Sequence, residues 1–246
     1  DSRVPPRAAG PVSVQAPAAS GAVRGPAWAW PPGPAAPVAV SPVPVEEQPV
    51  SRETAVARTF GPRADLAAQY EGILASTGIE WGLVGPRERD RLWQRHLLNC
   101  AVVAPALPTG STVADIGSGA GLPGLVWAIA RPDLTVSLVE PLLRRATFLT
   151  DTVDRLGLGN CVVLRGRAED LAGDLCVDVV TARAVAPLGK LAGWCLPLAR
   201  AGGLVLALKG AEAEEELTAV RAELTQLGAV DPRVEIYGTG IVEPAT

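Results

Sequence analysis

The sequence predicts an α/β fold with a Rossmann-like, mostly parallel sheet preceded by N-terminal helices, and three observations carry that prediction. Apolar, β-rich segments alternate with helical ones from residue 112 onward; the first runs straight into the glycine-rich string GSGAGLPG at 117–124; and an acid, Glu140, closes the second. Such alternation buries both faces of a parallel sheet under helices and leaves ligands to bind beyond the C-terminal strand ends.

Residues 1–50 hold 12 of the 23 prolines, in a stretch dominated by Ala, Pro, Val and Gly. Proline removes backbone donors and fixes φ, so this stretch reads as an extended or disordered extension, either inert or a docking tail. Residues 51–246 then form one domain, with helices over 51–110 and the Rossmann-like core over 111–246. Helical spacing covers 64–77 and, after the Gly85-Pro86 break, 86–106. The core reads in order as strand 112–116, helix 125–130, strand 134–140, a helix over 142–156 ending at Gly157, and strands 161–164 and 177–181. Helix 188–198, strand 204–208 after the Gly202-Gly203 turn, helix 213–227 and a weaker strand at 234–237 complete the series.

At 246 residues and 48% hydrophobic, the chain can bury a full core. No apolar run reaches the roughly 18 to 20 residues that span a bilayer, and the N-terminus lacks the order of a signal peptide, so a soluble, cytoplasmic protein is expected. Cys100, Cys161, Cys176 and Cys195 are widely separated, with no C-x-x-C pair. They read as packing residues of a reducing compartment, and no metal site is expected. His96 is the only histidine, which leaves no Ser-His-Asp array and no histidine metal site, and it reads as structural. The formal charge of −4 argues mildly against a nucleic-acid partner, but phosphate binding depends on where the arginines lie.

Gly117, Gly119 and Gly121 allow a sharp turn and close backbone approach, and the helix beyond them offers free N–H groups. Alone they are equally a structural βα turn. Gly119-x-Gly121-x-x-Gly124 with Glu140 some 20 residues on also fits a dinucleotide fingerprint, and both NAD and S-adenosylmethionine would present ribose hydroxyls to that acid. The third strand leads into Gly166-Arg167-Ala168-Glu169-Asp170, a small residue and an acid where an adenine would rest, or a helix-capping acid. The fourth ends in Thr181-Ala182-Arg183-Ala184-Val185-Ala186. An Asn/Asp-Pro-Pro-aromatic box is missing there, as is a Pro-Cys pair where cytosine-C5 enzymes hold their nucleophile, so covalent attack by a cysteine is not expected. Arg183 at a strand end needs an anionic partner if buried. With Arg144, Arg145, Arg167 and Lys209 it would give one rim a positive charge able to hold an RNA backbone.

Taken together, Arg95-His96-Leu97-Leu98-Asn99, Val113-Ala114-Asp115-Ile116 with GSGAGLPG, Ala130-Arg131-Pro132-Asp133-Leu134, Gly166 to Glu169, Thr181 to Ala186 and Leu206-Ala207-Leu208-Lys209-Gly210 resemble the ribosomal RNA small subunit methyltransferase G family, also called glucose-inhibited division protein B. The match runs in order from about residue 53. It implies a class I S-adenosylmethionine-dependent methyltransferase that makes N7-methylguanosine in the decoding-region loop of 16S ribosomal RNA, as free RNA or in the small subunit. It further implies cofactor contacts at Gly117, Leu122, Ala168, Glu169 and Arg183, and RNA or target-base contacts at Arg144, Arg145, Arg167 and Lys209. Two departures stand out. The family pattern continues past a segment like 239–246 into a final basic strand, so the sheet is expected to lack its last strand, and a chain that starts at Asp1 without any methionine reads as a fragment at both ends.

Guanine N7 carries an in-plane lone pair, so transfer to it needs no proton removed and no covalent intermediate. No catalytic acid or base is therefore expected, and catalysis rests on positioning, with Arg183 orienting phosphates or guanine O6. An NAD-dependent oxidoreductase would want a Tyr-x-x-x-Lys or His-Asp pair, and the only tyrosines are Tyr70 and Tyr237. A degenerate fold that only binds RNA would have no need of three close glycines.

Overall fold

A computed structural model of the chain describes residues 11–15 and 50–242. Seven strands form one sheet in the order β4-β3-β2-β5-β6-β1-β7. β2 (Thr112–Ile116), β3 (Thr135–Val139), β4 (Cys161–Leu164), β5 (Val177–Arg183) and β6 (Ala199–Leu208) are parallel. β1 (Pro11–Gln15) runs antiparallel both to β6 and to β7 (Val230–Val234).

Alternate residues of the central strands feed two cores, as the period of two demands. Val113, Val179 and Leu206 join one core with Trp127, Phe148 and the N-terminal helices; Ala114, Val180 and Val205 join the other with Leu191 and Leu217. The first face is covered by α1 (Arg52–Phe60), α2 (Ala64–Ile73), α3 (Asn99–Ala101), α4 (Gly124–Ala130) and α5 (Leu143–Leu156). The second is covered by α6 (Leu188–Cys195) and α7 (Ala213–Gln226). α1 starts where Ser51 Oγ accepts from the Thr54 N–H at 3.3 Å, and α5 stops at Gly157 in the left-handed region at φ 60°.

Four readings need correction. Residues 11–15 are not loose chain: they pair from Pro11 opposite Leu208 to Gln15 opposite Leu204, and so fill a sheet position between β6 and β7. With β7 they bring the sheet to seven strands in the described residues. The rest of the expected extension and residues 243–246 lie outside the described residues. The helix expected over 86–106 is broken into a 3-10 stretch Pro86–Arg91, a π-helical stretch Leu92–Leu98 and α3, since Pro86 and Pro105 remove donors at both ends. The helix expected over 188–198 becomes α6 followed by a 3-10 turn, Leu196–Leu198, for the same reason at Pro197. The last strand lies at Val230–Val234 rather than 234–237, where Val234 and Arg233 meet Val12 and Ser13. Among the described residues, no helix is long and apolar enough to cross a membrane.

Candidate active site

The glycine loop leaves β2 and turns under the end of β3. Gly117 and Ser118 both donate their N–H to Val139 O, at 2.9 and 3.1 Å. Gly117 sits at φ 67°, and a Cβ there would lie 2.9 Å from Val185 Cγ2, so glycine answers both a backbone and a space requirement. Gly124 serves packing instead: a Cβ would come within 2.4 Å of Leu138 and 2.7 Å of Asp115 Oδ2. Tyr70, fully buried on α2, props the loop from below by donating to Ala120 O at 2.7 Å.

Beside the loop, the Glu140 carboxyl is buried, with the residue 1% exposed. Its Oε2 accepts from Gly119 N and its Oε1 from Leu142 N, each at 3.0 Å. A carboxylate has about four lone-pair sites, so two remain for ribose hydroxyls. Asp115, at the end of β2, is wholly buried; Oδ2 accepts from Gly124 N at 3.0 Å and Oδ1 has no partner. Burial pushes its carboxyl up to about 7, against the pull of the Gly124 N–H.

These groups open onto a cavity of about 620 Å³ at the C-terminal ends of the parallel strands, lined by Gly117, Gly119, Leu122, Glu140, Arg145, Arg167, Ala168, Glu169 and Arg183 among the sequence-predicted residues. That volume suits a nucleoside-sized ligand. Gly121 stays out of the lining; its missing Cβ leaves room for Leu125 and the Tyr70 hydroxyl, so its work is in the loop's support. Arg144 also stays out, with its guanidinium 5.4 Å from the Trp81 ring centroid. Lys209 is engaged: its Nζ donates to Ala186 O at 2.8 Å and pairs with Glu216 at 3.0 Å, and Glu216 also accepts from Leu188 N. That cation is already compensated and ties α7 to the segment after β5, so it does not add to the positive rim.

Arg183 ends β5 and crosses to the N-terminal helices. Its Nη1 donates to Cys100 Sγ at 3.1 Å, and its Nη2 to Arg95 O at 3.0 Å and His96 Nδ1 at 3.1 Å. All three acceptors are neutral. Among the described residues, Arg145, Arg167 and Arg183 stand in no ion pair, so three arginines line the cavity without a carboxylate partner. The turn that follows is strained, with Ala184 at φ 54°, and it swings Val185 over Gly117. Cys100 is no nucleophile: it is fully buried and burial pushes its thiol up.

His96, Ser118 and Val185 also line the cavity, and sequence reasoning passed over all three as site residues. The only usable signal for His96 was its place in the Arg95-to-Asn99 string. Among the described residues, no cluster of His, Cys, Asp or Glu could hold a metal ion.

A glycine loop, a buried acid and a cavity at the parallel strand ends suit a nucleoside-bearing cofactor, and family membership makes the chain an S-adenosylmethionine-dependent methyltransferase. The comparisons narrow this further. The chain belongs to the family described as rRNA small subunit methyltransferase G, whose model matches residues 63–242. It is 56% identical over 200 residues to ribosomal RNA small subunit methyltransferase G of Salinispora tropica, covering 78% of this chain and 83% of that protein. With the protein of the same name from Streptomyces coelicolor it shares 55% identity over 186 residues, 75% of this chain and 78% of the other. Among solved structures it is similar to precorrin-6y C5,15-methyltransferase of Geobacter metallireducens at 16% identity and a TM-score of 0.44, over 63% of this chain and 76% of that one.

Proposed function

We propose that this protein methylates N7 of one guanine in the decoding-region loop of small-subunit ribosomal RNA, in the cytoplasm, using S-adenosylmethionine. The observation that carries the reading is the cavity's lining: Arg145, Arg167 and Arg183, which stand in no ion pair among the described residues, share it with the glycine loop and Glu140. Family membership supplies the substrate class, since relatives at 52–56% identity bear the small-subunit name.

The fit to the cofactor rests on two features of the chain: a loop whose glycines let the backbone turn tightly at the cavity wall, and a buried carboxylate with acceptor capacity to spare. Gly117, Gly119, Leu122, Glu140, Ala168 and Glu169 would hold it. When bound, S-adenosylmethionine supplies a methyl group on a positively charged sulfur. The protein's own share is geometric. Guanine N7 is nucleophilic without deprotonation, so holding it at near-attack distance can supply several kcal/mol of the barrier reduction. Arg183 presents N–H donors to O6 or phosphate, while Arg145 and Arg167 hold the RNA backbone.

The test incubates the protein and tritiated S-adenosylmethionine with small-subunit particles that lack the modification, then maps the label by N7-specific strand cleavage. One labelled guanine in the decoding loop is expected. Label on another base or another atom overturns the substrate assignment, and failure to bind the cofactor overturns the site.

A further inference from the structure

Arg183 is fixed by a chain of groups that the transfer chemistry alone does not require. Arginine has donors only, so the 3.1 Å contact from its Nη2 makes His96 Nδ1 an acceptor. The imidazole proton therefore sits on Nε2, where Glu88 Oε2 accepts it at 3.0 Å. Glu88 in turn is held by Arg95 at 3.3 Å, and Arg95 gives its carbonyl to the same Arg183 nitrogen that meets the histidine. Glu88, His96 and Arg183 thus form a directed chain from the protein surface to the cavity, and the His96 side chain is only 17% exposed within it.

We propose that His96, neutral and protonated on Nε2, is the positioning residue that aims Arg183 at the methyl acceptor, and that protonation of His96 switches transfer off by turning an acceptor into a donor facing Arg183.

The electrostatics agree with this role. Burial and the guanidinium of Arg183 hold the His96 ring below its ordinary range, Glu88 pulls it back up and Arg95 lowers it slightly. On the other side of Arg183 lie the Cys100 thiol and, further in, Asp115, both wholly buried. The imidazole is therefore neutral at neutral pH. Adding its second proton would set two cations 3.1 Å apart and remove one of the three acceptors that hold Arg183.

This inference rests on the guanine N7 reading, and the test separates the two. Single-turnover transfer to small-subunit particles is measured against pH for the wild type, His96→Asn, His96→Ala and Glu88→Gln, alongside calorimetric cofactor binding. Asn places Oδ1 where Nδ1 was and does not titrate. The wild type should lose activity on an acid limb below the usual histidine range. His96→Asn should stay within about threefold of wild type at neutral pH and lack that limb, whereas His96→Ala should fall by about tenfold or more, since small misplacements at a reacting centre can cost up to about a hundredfold. Glu88→Gln removes the group that raises His96, so its acid limb should move to lower pH. Equal loss in His96→Asn and His96→Ala, or an acid limb that survives in His96→Asn, overturns the positioning role. A wild type that binds cofactor but labels no guanine fails the substrate reading instead.

Discussion

The two rims of the cavity are built on opposite plans. The cofactor rim is local: Gly117, Gly119 and Glu140 belong to one β-α-β unit, and the loop's hydrogen bonds to β3 and Glu140 join near neighbours in sequence, such as Gly119 N and Glu140, 21 residues apart. The cationic rim is assembled over distance, for Arg183 leans on Cys100, Arg95 and His96, between 83 and 88 residues earlier. A wall of close-approaching backbone needs only a turn. A free guanidinium needs scaffolding from elsewhere, and here the N-terminal helices provide it. The difference shows what those helices do: they cover the sheet and also aim the one arginine that β5 delivers to the cavity.

The largest effect should come from breaking that scaffolded cation. Arg183→Ala is expected to lower kcat/KM for methyl transfer by about a hundredfold, and Arg183→Lys to recover little, because one ammonium cannot reproduce a planar fork with three separate acceptors. Steady-state kinetics on small-subunit particles checks this, and a fully active lysine variant would show that charge alone suffices.

Asp115 lies buried at the end of β2, behind the glycine loop. Its folded-state pKa of about 7 lies above the unfolded value of 3.8, so its contribution to stability is fully present below 3.8 and is lost as pH rises towards about 7. The loss is on the order of 4 kcal/mol for a wholly buried carboxyl. Asp115→Asn cannot ionise, and its unfolding midpoint in urea should vary less across that window than the wild type's. Identical pH dependence would mean that Asp115 is ionised throughout.

The sheet edge extends the contrast between local and distant assembly. Ser13 is 2% exposed within β1, the strand that joins β6 to β7. Ser13→Pro removes a ladder donor there and should cost about 1 to 3 kcal/mol, read from the thermal or urea midpoint. An unchanged midpoint would show that β1 adds no stability.

The smallest effects separate the remaining cations. Arg145→Ala and Arg167→Ala should each reduce the slope of RNA affinity against log salt by about one, the signature of a lost phosphate contact. Lys209→Ala should lower stability and leave that slope nearly unchanged, because its charge is already paired with Glu216.

What could be read from the sequence follows the same division. The succession of strands and helices in the core, the loop at 117–124 and the acid at 140 were legible because each lies within a short stretch whose periodicity and turn chemistry decide it locally. β1 was not, since Pro11-Val12-Ser13-Val14-Gln15 is a weak alternation in a proline-rich setting and its partner strand begins at Ala199. His96 looked structural because its ties to Glu88 and Arg183 become visible only once the broken helix at 86–101 docks against β5. Lys209 looked like part of a basic rim, and only the placement of Glu216 on α7 showed where its charge was spent.

The most direct test of the central claim is a crystal structure with S-adenosylhomocysteine bound. The ligand should lie in the cavity with its ribose on Glu140, and Arg183 should keep its contacts to Cys100, Arg95 and His96 while facing the sulfur end. A ligand bound elsewhere, or an Arg183 that abandons those three acceptors to pair with a carboxylate of the protein, would contradict the account.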